Sequence, residues 1–237
     1  MIIHGKRSIL EALNANYPIR EIIISTSLKR HQSVSDLIRQ AESYSIPIRS
    51  VSPQAFKHNY PENETQGIVA LSQSINFRPL SILSDIDQYP KVVILDHLED
   101  PYNMGAIIRT CEGLGVNALV FGKDRQVKLT PGVIKASSGA VYHLPLIQVS
   151  NVAQSILQLK KNGYWIYGTA LNAGVDINKV TINYPFVLVV GNENKGISKR
   201  VSKMVDLNIS ISMVGNINSL NVSVATGILL YKMGCHE

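Results

Sequence analysis

The sequence predicts an α/β protein: a small α/β unit, then an open parallel sheet with helices on both faces. Three observations carry this. From about residue 91 onward, short apolar runs alternate with helical patterns, the order that produces strand-helix-strand crossovers. Within that region, runs such as Val187-Leu-Val-Val190 are apolar without alternation, as strands buried on both faces are. The first 70 residues instead mix brief β-rich runs with amphipathic helical patterns, and a weakly periodic stretch from Gln73 to Pro90, holding Pro79 and several Ser residues, follows them. The expected domains are therefore 1–72 and 91–237, joined by a linker over 73–90.

The elements follow from periodicity. Residues Arg7 to Asn14 give a short helix with apolar Ile9, Leu10 and Leu13, Glu21 to Ser25 a strand, and Val34 to Tyr44 an amphipathic helix. Ile46 to Val51 and Gly67 to Leu71 give two more strands. In the second domain the expected strands are Lys91 to Leu95, Ala118 to Phe121, Tyr164 to Thr169, Phe186 to Val190 and Leu207 to Ile211. The expected helices are Gly105 to Leu114, Thr130 to Ser138, Val152 to Lys161, Ser198 to Val205 and Ser219 to Met233. Ligands of such sheets gather at the carboxyl ends of the strands, so the loops after Leu95, Thr169, Val190 and Ile211 are where a site is expected.

Composition narrows the function classes. At 237 residues, 45% hydrophobic and 17% charged, the chain is long enough for one large or two small cores. No apolar run reaches the roughly 18 residues of a membrane span, and Met1 to Arg7 lacks a secretory apolar region, so a cytoplasmic protein is expected. Cys111 and Cys235 are far apart and outside any C-x-x-C spacing, which argues against a zinc site or a disulfide framework, and no metal is expected. The net charge of +6 is uneven: residues 1–90 hold 9 Lys+Arg against 8 Asp+Glu, and residues 91–237 hold 14 against 9. Lys123, Arg125, Lys128 and Lys135 form one basic cluster, and Lys195, Lys199, Arg200 and Lys203 another. Both a nucleic acid and a solvated surface fit such clusters.

Three segments carry polar residues where a ligand is expected. The first runs from Asp96 to Thr110, a polar turn followed by a helix whose apolar stripe is Ile107, Ile108, Cys111 and Leu114. A step of roughly 100° per residue puts Arg109 on the side away from that stripe, while Asn103 and Gly105 fall at the turn, where Asn caps helices and Gly permits close approach. The second is Gly191 to Ser198, a glycine-bracketed polar loop that contains Glu193. The third runs from Ile209 to Leu230, where Ser219 is the expected cap of an apolar helix that carries Asn221 and Ser223 inside it. No G-x-x-x-x-G-K-[ST] and no G-x-G-x-x-G occurs, which removes support for nucleoside triphosphate and dinucleotide chemistry, including a dinucleotide-dependent oxidoreductase.

In order and spacing these segments resemble the three motifs of the SpoU (TrmH) family, ribose 2′-O-methyltransferases of the SPOUT class. The match reads Asn103-x-Gly105-x-x-x-Arg109-Thr110, then Gly191-x-Glu193-x-x-Gly196, then Ile211-x-Met213 with Ser219 to Ala225. His4-Gly5-Lys6 and Gln66 to Ala70 resemble the L30e-like RNA-binding domain that precedes the catalytic domain in some members. The resemblance implies a deep trefoil knot in the parallel sheet, which periodicity alone does not give. It also implies a homodimer, with S-adenosylmethionine held mainly by backbone groups at Thr169, Ala170, Leu171, Gly191, Ile211, Met213 and Leu220. Asn103, Arg109, Glu193, Ser219 and Asn221 would then form the catalytic polar set. Ser212 departs from the family's usual proline between Ile211 and Met213, a change expected to act on loop stiffness.

The family's arginine has been proposed as the base. A guanidinium holds its protons too tightly to be a good base, so Arg109 is better assigned to orienting the RNA phosphate and ribose and stabilising developing negative charge. The domain order resembles enzymes that methylate a guanosine of 23S rRNA, which makes rRNA the first expectation and a tRNA ribose the second. A non-catalytic RNA-binding or ribosome-assembly factor is the competing class, and the presence of Arg109, Glu193, Ser219 and Asn221 argues against it.

Overall fold

The structure is a computed structural model and describes residues 1–29, 32–60, 65–84, 90–124, 126–170, 174–216 and 219–234. The first part holds β1 (Ile2–His4), α1 (Lys6–Asn14), β2 (Ile19–Ser25), α2 (Thr26–Lys29), α3 (Gln32–Ser43), β3 (Ile48–Val51), α4 (Pro53–Asn59) and β4 (Ile68–Ser72). The second holds β5 (Lys91–Leu95), α5 (Pro101–Gly113), β6 (Ala118–Gly122), α6 (Pro131–Ala136), β7 (Leu146–Val149), α7 (Val152–Lys161), β8 (Trp165–Thr169), β9 (Val175–Asp176), β10 (Phe186–Val190), α8 (Lys199–Ser202), β11 (Leu207–Ser210) and α9 (Val222–Gly234).

Two compact units result, one of residues 1–75 with 129–143 and one of residues 76–128 with 144–237. The first has a four-stranded sheet ordered β1-β4-β2-β3, in which β1 and β2 flank β4 antiparallel and β3 joins β2 in parallel. Residues Ile22, Ile23 and Ile24 are all fully buried, so β2 is covered on both faces, with Phe56 of α4 packed against Ile23 and Val69 on one of them. Residues 129–143, which the sequence pattern places in the later domain, pack with this unit. α6 lies on β1, and the Tyr142 ring stands 4.7 Å from that of Tyr17. Gly139, at φ +90°, lets the segment close on α1, because a Cβ there would lie 2.2 Å from Glu11 Cβ.

The second unit is a seven-stranded, wholly parallel sheet ordered β7-β6-β5-β10-β8-β11-β9. All five residues of β10 are buried, which is why its sequence shows no alternation. α7 and α8 supply Ala153, Ile156, Leu159 and Val201 to a core built with Val92, Ile94, Val120, Val187 and Val189. Helices α5 and α9 pack against one another and on the sheet, and Met104, Ile107, Ile108 and Cys111 of one and Leu229, Leu230 and Met233 of the other are buried. Burial raises the Cys111 thiol well above its ordinary value, so it is an inert apolar group. Leu80–Ser84, within the stretch whose pattern suggests a linker, forms a 3-10 turn whose buried Leu83 joins this core and accepts from Tyr164 Oη at 2.9 Å.

The strands and helices that periodicity does not reveal are mostly short: β1, α2, β7 and β9 have two to four residues, too few for a period to register. The expected knot depends on the course of loops that include residues 171–173 and 217–218, which lie outside the described residues, as do Arg125 and Cys235.

Candidate functional site

Strands β5, β8, β10 and β11 end side by side, and their loops meet. The loop after β5 enters α5 through Asp100, whose carboxylate accepts from the Tyr102 amide at 3.0 Å and the Asn103 amide at 3.3 Å, with Pro101 at the first helical position. The helix therefore begins four residues earlier than its periodicity suggests, and Asp100, not Asn103, caps it. Asn103 is buried, and its side chain is used elsewhere. Its Nδ2 donates to Glu193 Oε1 at 3.2 Å, and its Oδ1 accepts from Asn221 Nδ2 at 2.9 Å.

Asn221 also corrects the third motif. Helix α9 starts at Val222, not at Ser219, and Asn221 Oδ1 accepts from the amides of Ser223 at 2.9 Å and Val224 at 3.4 Å and from the Ser223 hydroxyl at 2.6 Å. One amide side chain thus caps α9 with its oxygen and reaches α5 with its nitrogen. Further along, a Cβ at Gly227 would stand 3.4 Å from Thr110 Cγ2, so α5 and α9 run beside one another in the same direction, closely spaced. Ser219 and Leu220 are exposed in the loop before the helix, and Asn218 lies outside the described residues.

The second motif is ordered by a residue that the motif pattern does not include. Asn192 is buried; its Oδ1 accepts from the Asn194 and Lys195 amides at 3.0 and 3.1 Å, its Nδ2 donates to His97 O at 2.9 Å, and its backbone pairs with Gly196. Gly191 is required by this turn itself, because a Cβ there would sit 2.2 Å from Gly196 C. The fully buried Asp96 closes the other end, accepting from the Ser198 amide at 2.7 Å, with His97 Nδ1 2.6 Å from its second oxygen. An Asn beside a glycine after a buried strand, and an acid directly after another, are the sequence signals that could have found these two.

Between the loops lies a cavity of about 610 Å3, within the range of small-ligand sites. Thr169, Ala170, Gly191, Ile211, Met213 and Leu220 line it, and Glu193, Ser219 and Asn221 form its polar side. Asn103 stands behind that side through its two hydrogen bonds, whereas Arg109 is exposed on α5 and is not part of the wall. Leu171 lies outside the described residues. The Ile211–Met213 wall is tied to the edge strand: the Ser212 hydroxyl donates to Asp176 Oδ2, and Ser210 Oγ donates to Gly174 O at 3.0 Å. The Ser212 and Asn178 hydrogen bonds hold the Asp176 carboxyl below its ordinary range. Among the described residues no group of three or more His, Cys, Asp or Glu is placed to hold a metal, and no helix is long and apolar enough to cross a membrane.

Comparison with known proteins places this arrangement. Residues 90–231 match the model of the SpoU rRNA methylase family, and residues 2–77 match the RNA 2′-O ribose methyltransferase substrate-binding model. The chain belongs to the SpoU family of RNA methyltransferases. A Staphylococcus epidermidis protein assigned to the TrmH family of tRNA/rRNA methyltransferases is 37% identical over 98% of this chain and 94% of its own length. Among solved structures, the AdoMet-bound rRNA methyltransferase of Sinorhizobium meliloti covers 98% of this chain and 85% of that one, with a TM-score of 0.79 at 22% identity. The TrmH/SpoU tRNA modifying enzyme of A. aeolicus is 34% identical over 65% of this chain and 79% of its own, with a TM-score of 0.56.

The double role of Asn221 gives a separable outcome. Asn221→Ala loses the cap, a cost of about 1 kcal/mol, and also leaves the buried Asn103 oxygen without its donor, a further cost of about 1–3 kcal/mol. Asn221→Ser keeps a capping oxygen and loses only the second contact. Chemical denaturation should therefore rank wild type above Asn221→Ser and Asn221→Ser above Asn221→Ala; equal losses in the two variants contradict the double role.

Proposed function

We propose that the chain transfers a methyl group from S-adenosylmethionine to a ribose 2′-hydroxyl of RNA, its substrate a guanosine of 23S rRNA, in the cytoplasm. The observation that carries this is the polar triad Asn103, Glu193 and Asn221, joined by hydrogen bonds of 2.9 and 3.2 Å along one side of the cavity. The cavity fits the cofactor: its size suits a small ligand, and its wall combines apolar side chains, which suit a nucleoside, with the glycines Gly191 and Gly196, which add no side chain to it. Thr169, Ala170, Gly191, Ile211, Met213 and Leu220 would hold it, largely through main-chain groups. When bound, S-adenosylmethionine supplies an electrophilic methyl group on a sulfonium.

The chain's own contribution is alignment and electrostatics. Glu193 and Asn221, fixed through Asn103, present a carboxylate and an amide at set positions for the ribose, and Ser219 adds a hydroxyl on the same side. Arg109 is exposed further along α5 from Asn103, outside the cavity wall, so its planar guanidinium is suited to the RNA phosphate and ribose and not to the cofactor. Its guanidinium cation stabilises negative charge as the hydroxyl loses its proton.

Ribosomal RNA is favoured because the family model matched by residues 90–231 is that of rRNA methylases and a substrate-binding unit precedes it, whereas the tRNA modifying enzyme covers 65% of the chain. A tRNA ribose is the second reading, supported by the 34% identity to that enzyme. The protein would act as a homodimer. Val224, Ile228 and Tyr231 leave one face of α9 apolar and exposed, with Tyr102 of α5 exposed as well, the kind of surface that a second copy covers.

Two measurements test this. Incubation with labelled S-adenosylmethionine and unmethylated rRNA or tRNA should place one 2′-O-methyl guanosine in 23S rRNA; Arg109→Lys should lose roughly a hundredfold or more in turnover while its affinity for S-adenosylmethionine stays within about twofold. Incorporation into tRNA alone overturns the substrate, and full turnover in Arg109→Lys overturns the role of the guanidinium. Light scattering at micromolar concentration should give twice the mass of the chain, and Tyr231→Glu should shift it toward the monomer; a wild-type monomer contradicts the dimer.

A further inference from the structure

We propose that Lys195, Lys199, Arg200 and Lys203 form a preorganised phosphate-binding edge beside the cavity, which grips the backbone of the RNA strand next to the nucleotide being modified. This rests on the RNA-methyltransferase reading above and adds to it which surface of the catalytic unit holds the RNA.

The four cations sit on a short, firmly held stretch of chain. Its start is fixed where the Lys195 amide donates to the buried Asn192 at 3.1 Å, and its middle where the Ser198 amide donates to the fully buried Asp96 at 2.7 Å. Val201 of α8, 3% exposed, anchors the end in the core of the sheet. All four charged side chains are exposed on this frame, and Lys199 and Lys203, four residues apart, project from one side of it. Ordering flexible cations costs entropy on binding, and a fixed backbone lowers that cost.

The nearby acids have partners other than these cations. Glu193 accepts from Asn103, Asp206 pairs with Lys160 at 2.5 Å, and Asp96 is buried under the Ser198 amide. No acid lies between Asn194 and Val205 in sequence, and among the described residues none of the four cations is ion-paired. Four cations on this stretch, without an ion-pair partner among the described residues, attract a polyanion by counterion release, with no dependence on base sequence. The edge also adjoins the reaction site, because Lys195 and Ser202 line the cavity itself. A phosphate held there belongs to the strand whose ribose enters, which is a better fit to RNA than to a small acidic metabolite that would need only one or two of the charges.

The test compares the full chain with the triple variant Lys199→Glu, Arg200→Glu, Lys203→Glu, three exposed residues that do not line the cavity. Binding of unmethylated 23S rRNA transcript and of bulk tRNA is measured from about 50 to about 300 mM salt without cofactor, and S-adenosylmethionine affinity is measured separately by calorimetry. Each lost phosphate contact removes about 0.7 from the slope of log affinity against log salt for a single strand, so the slope should fall by about 2, with RNA affinity roughly tenfold weaker or more and S-adenosylmethionine affinity within about twofold of wild type. An unchanged slope and unchanged RNA affinity overturn the proposal. Failure of wild type to bind S-adenosylmethionine would instead overturn the methyltransferase reading, and the RNA slope still decides whether the edge binds phosphate.

Discussion

The side chain of Asn103 stands between two others that are far from it in sequence, donating to Glu193, 90 residues on, and accepting from Asn221, 118 residues on. A buried amide must satisfy both its oxygen and its nitrogen, and here each is satisfied by a different loop. The requirement fixes the loop after β10, the entry to α9 and the start of α5 relative to one another. Asn221 then passes the constraint into the backbone by capping α9, and Asp100 does the same for α5. The polar side of the cavity is held through a single buried group.

The rest of the site depends on close backbone approach. The turn at Gly191 brings the chain within 2.2 Å of where a side-chain carbon would start, and a Cβ added at Gly174 would stand nearly as close to Ile209 C, at 2.7 Å. The first contact folds the loop after β10 back on itself and the second holds the chain after β8 against β11, at the carboxyl ends of a parallel sheet, where ligands of such sheets gather. Asp176 and Ser212 add a polar tie to the Ile211–Met213 wall. Where a proline would restrain this backbone covalently, Ser212 does so through a hydrogen bond.

The fold is legible in the sequence where burial makes the pattern strong. β5 and β10 have the bounds that the apolar runs predict, as does α7, because a run of buried residues or three turns of an amphipathic helix leaves a clear trace. The site is legible in its residue types but not in its wiring. By position alone Asn103 suits a cap and Asn221 is a polar misfit inside a helix; tertiary contact gives the first a bridging role and makes the second the cap. Asn192 and Asp96 are harder to find because their partners are mostly backbone groups, which a sequence does not display. The excursion of residues 129–143 onto the first unit is hidden for a similar reason: nothing in Pro131 to Ala136 specifies which sheet it covers.

The proposed chemistry would divide the cavity between a cofactor side, walled by apolar side chains and main chain, and a polar side organised by Asn103, with the exposed Arg109 outside the wall. Hydrogen exchange on Asn103→Ala tests that division most directly. The Asn194 and Lys195 amides and the Ser223 and Val224 amides should all exchange roughly tenfold faster than in wild type or more, while β5 and β10 keep their protection. Faster exchange confined to α5 would show that the three loops are held independently, and would contradict the role of Asn103 as their common tie.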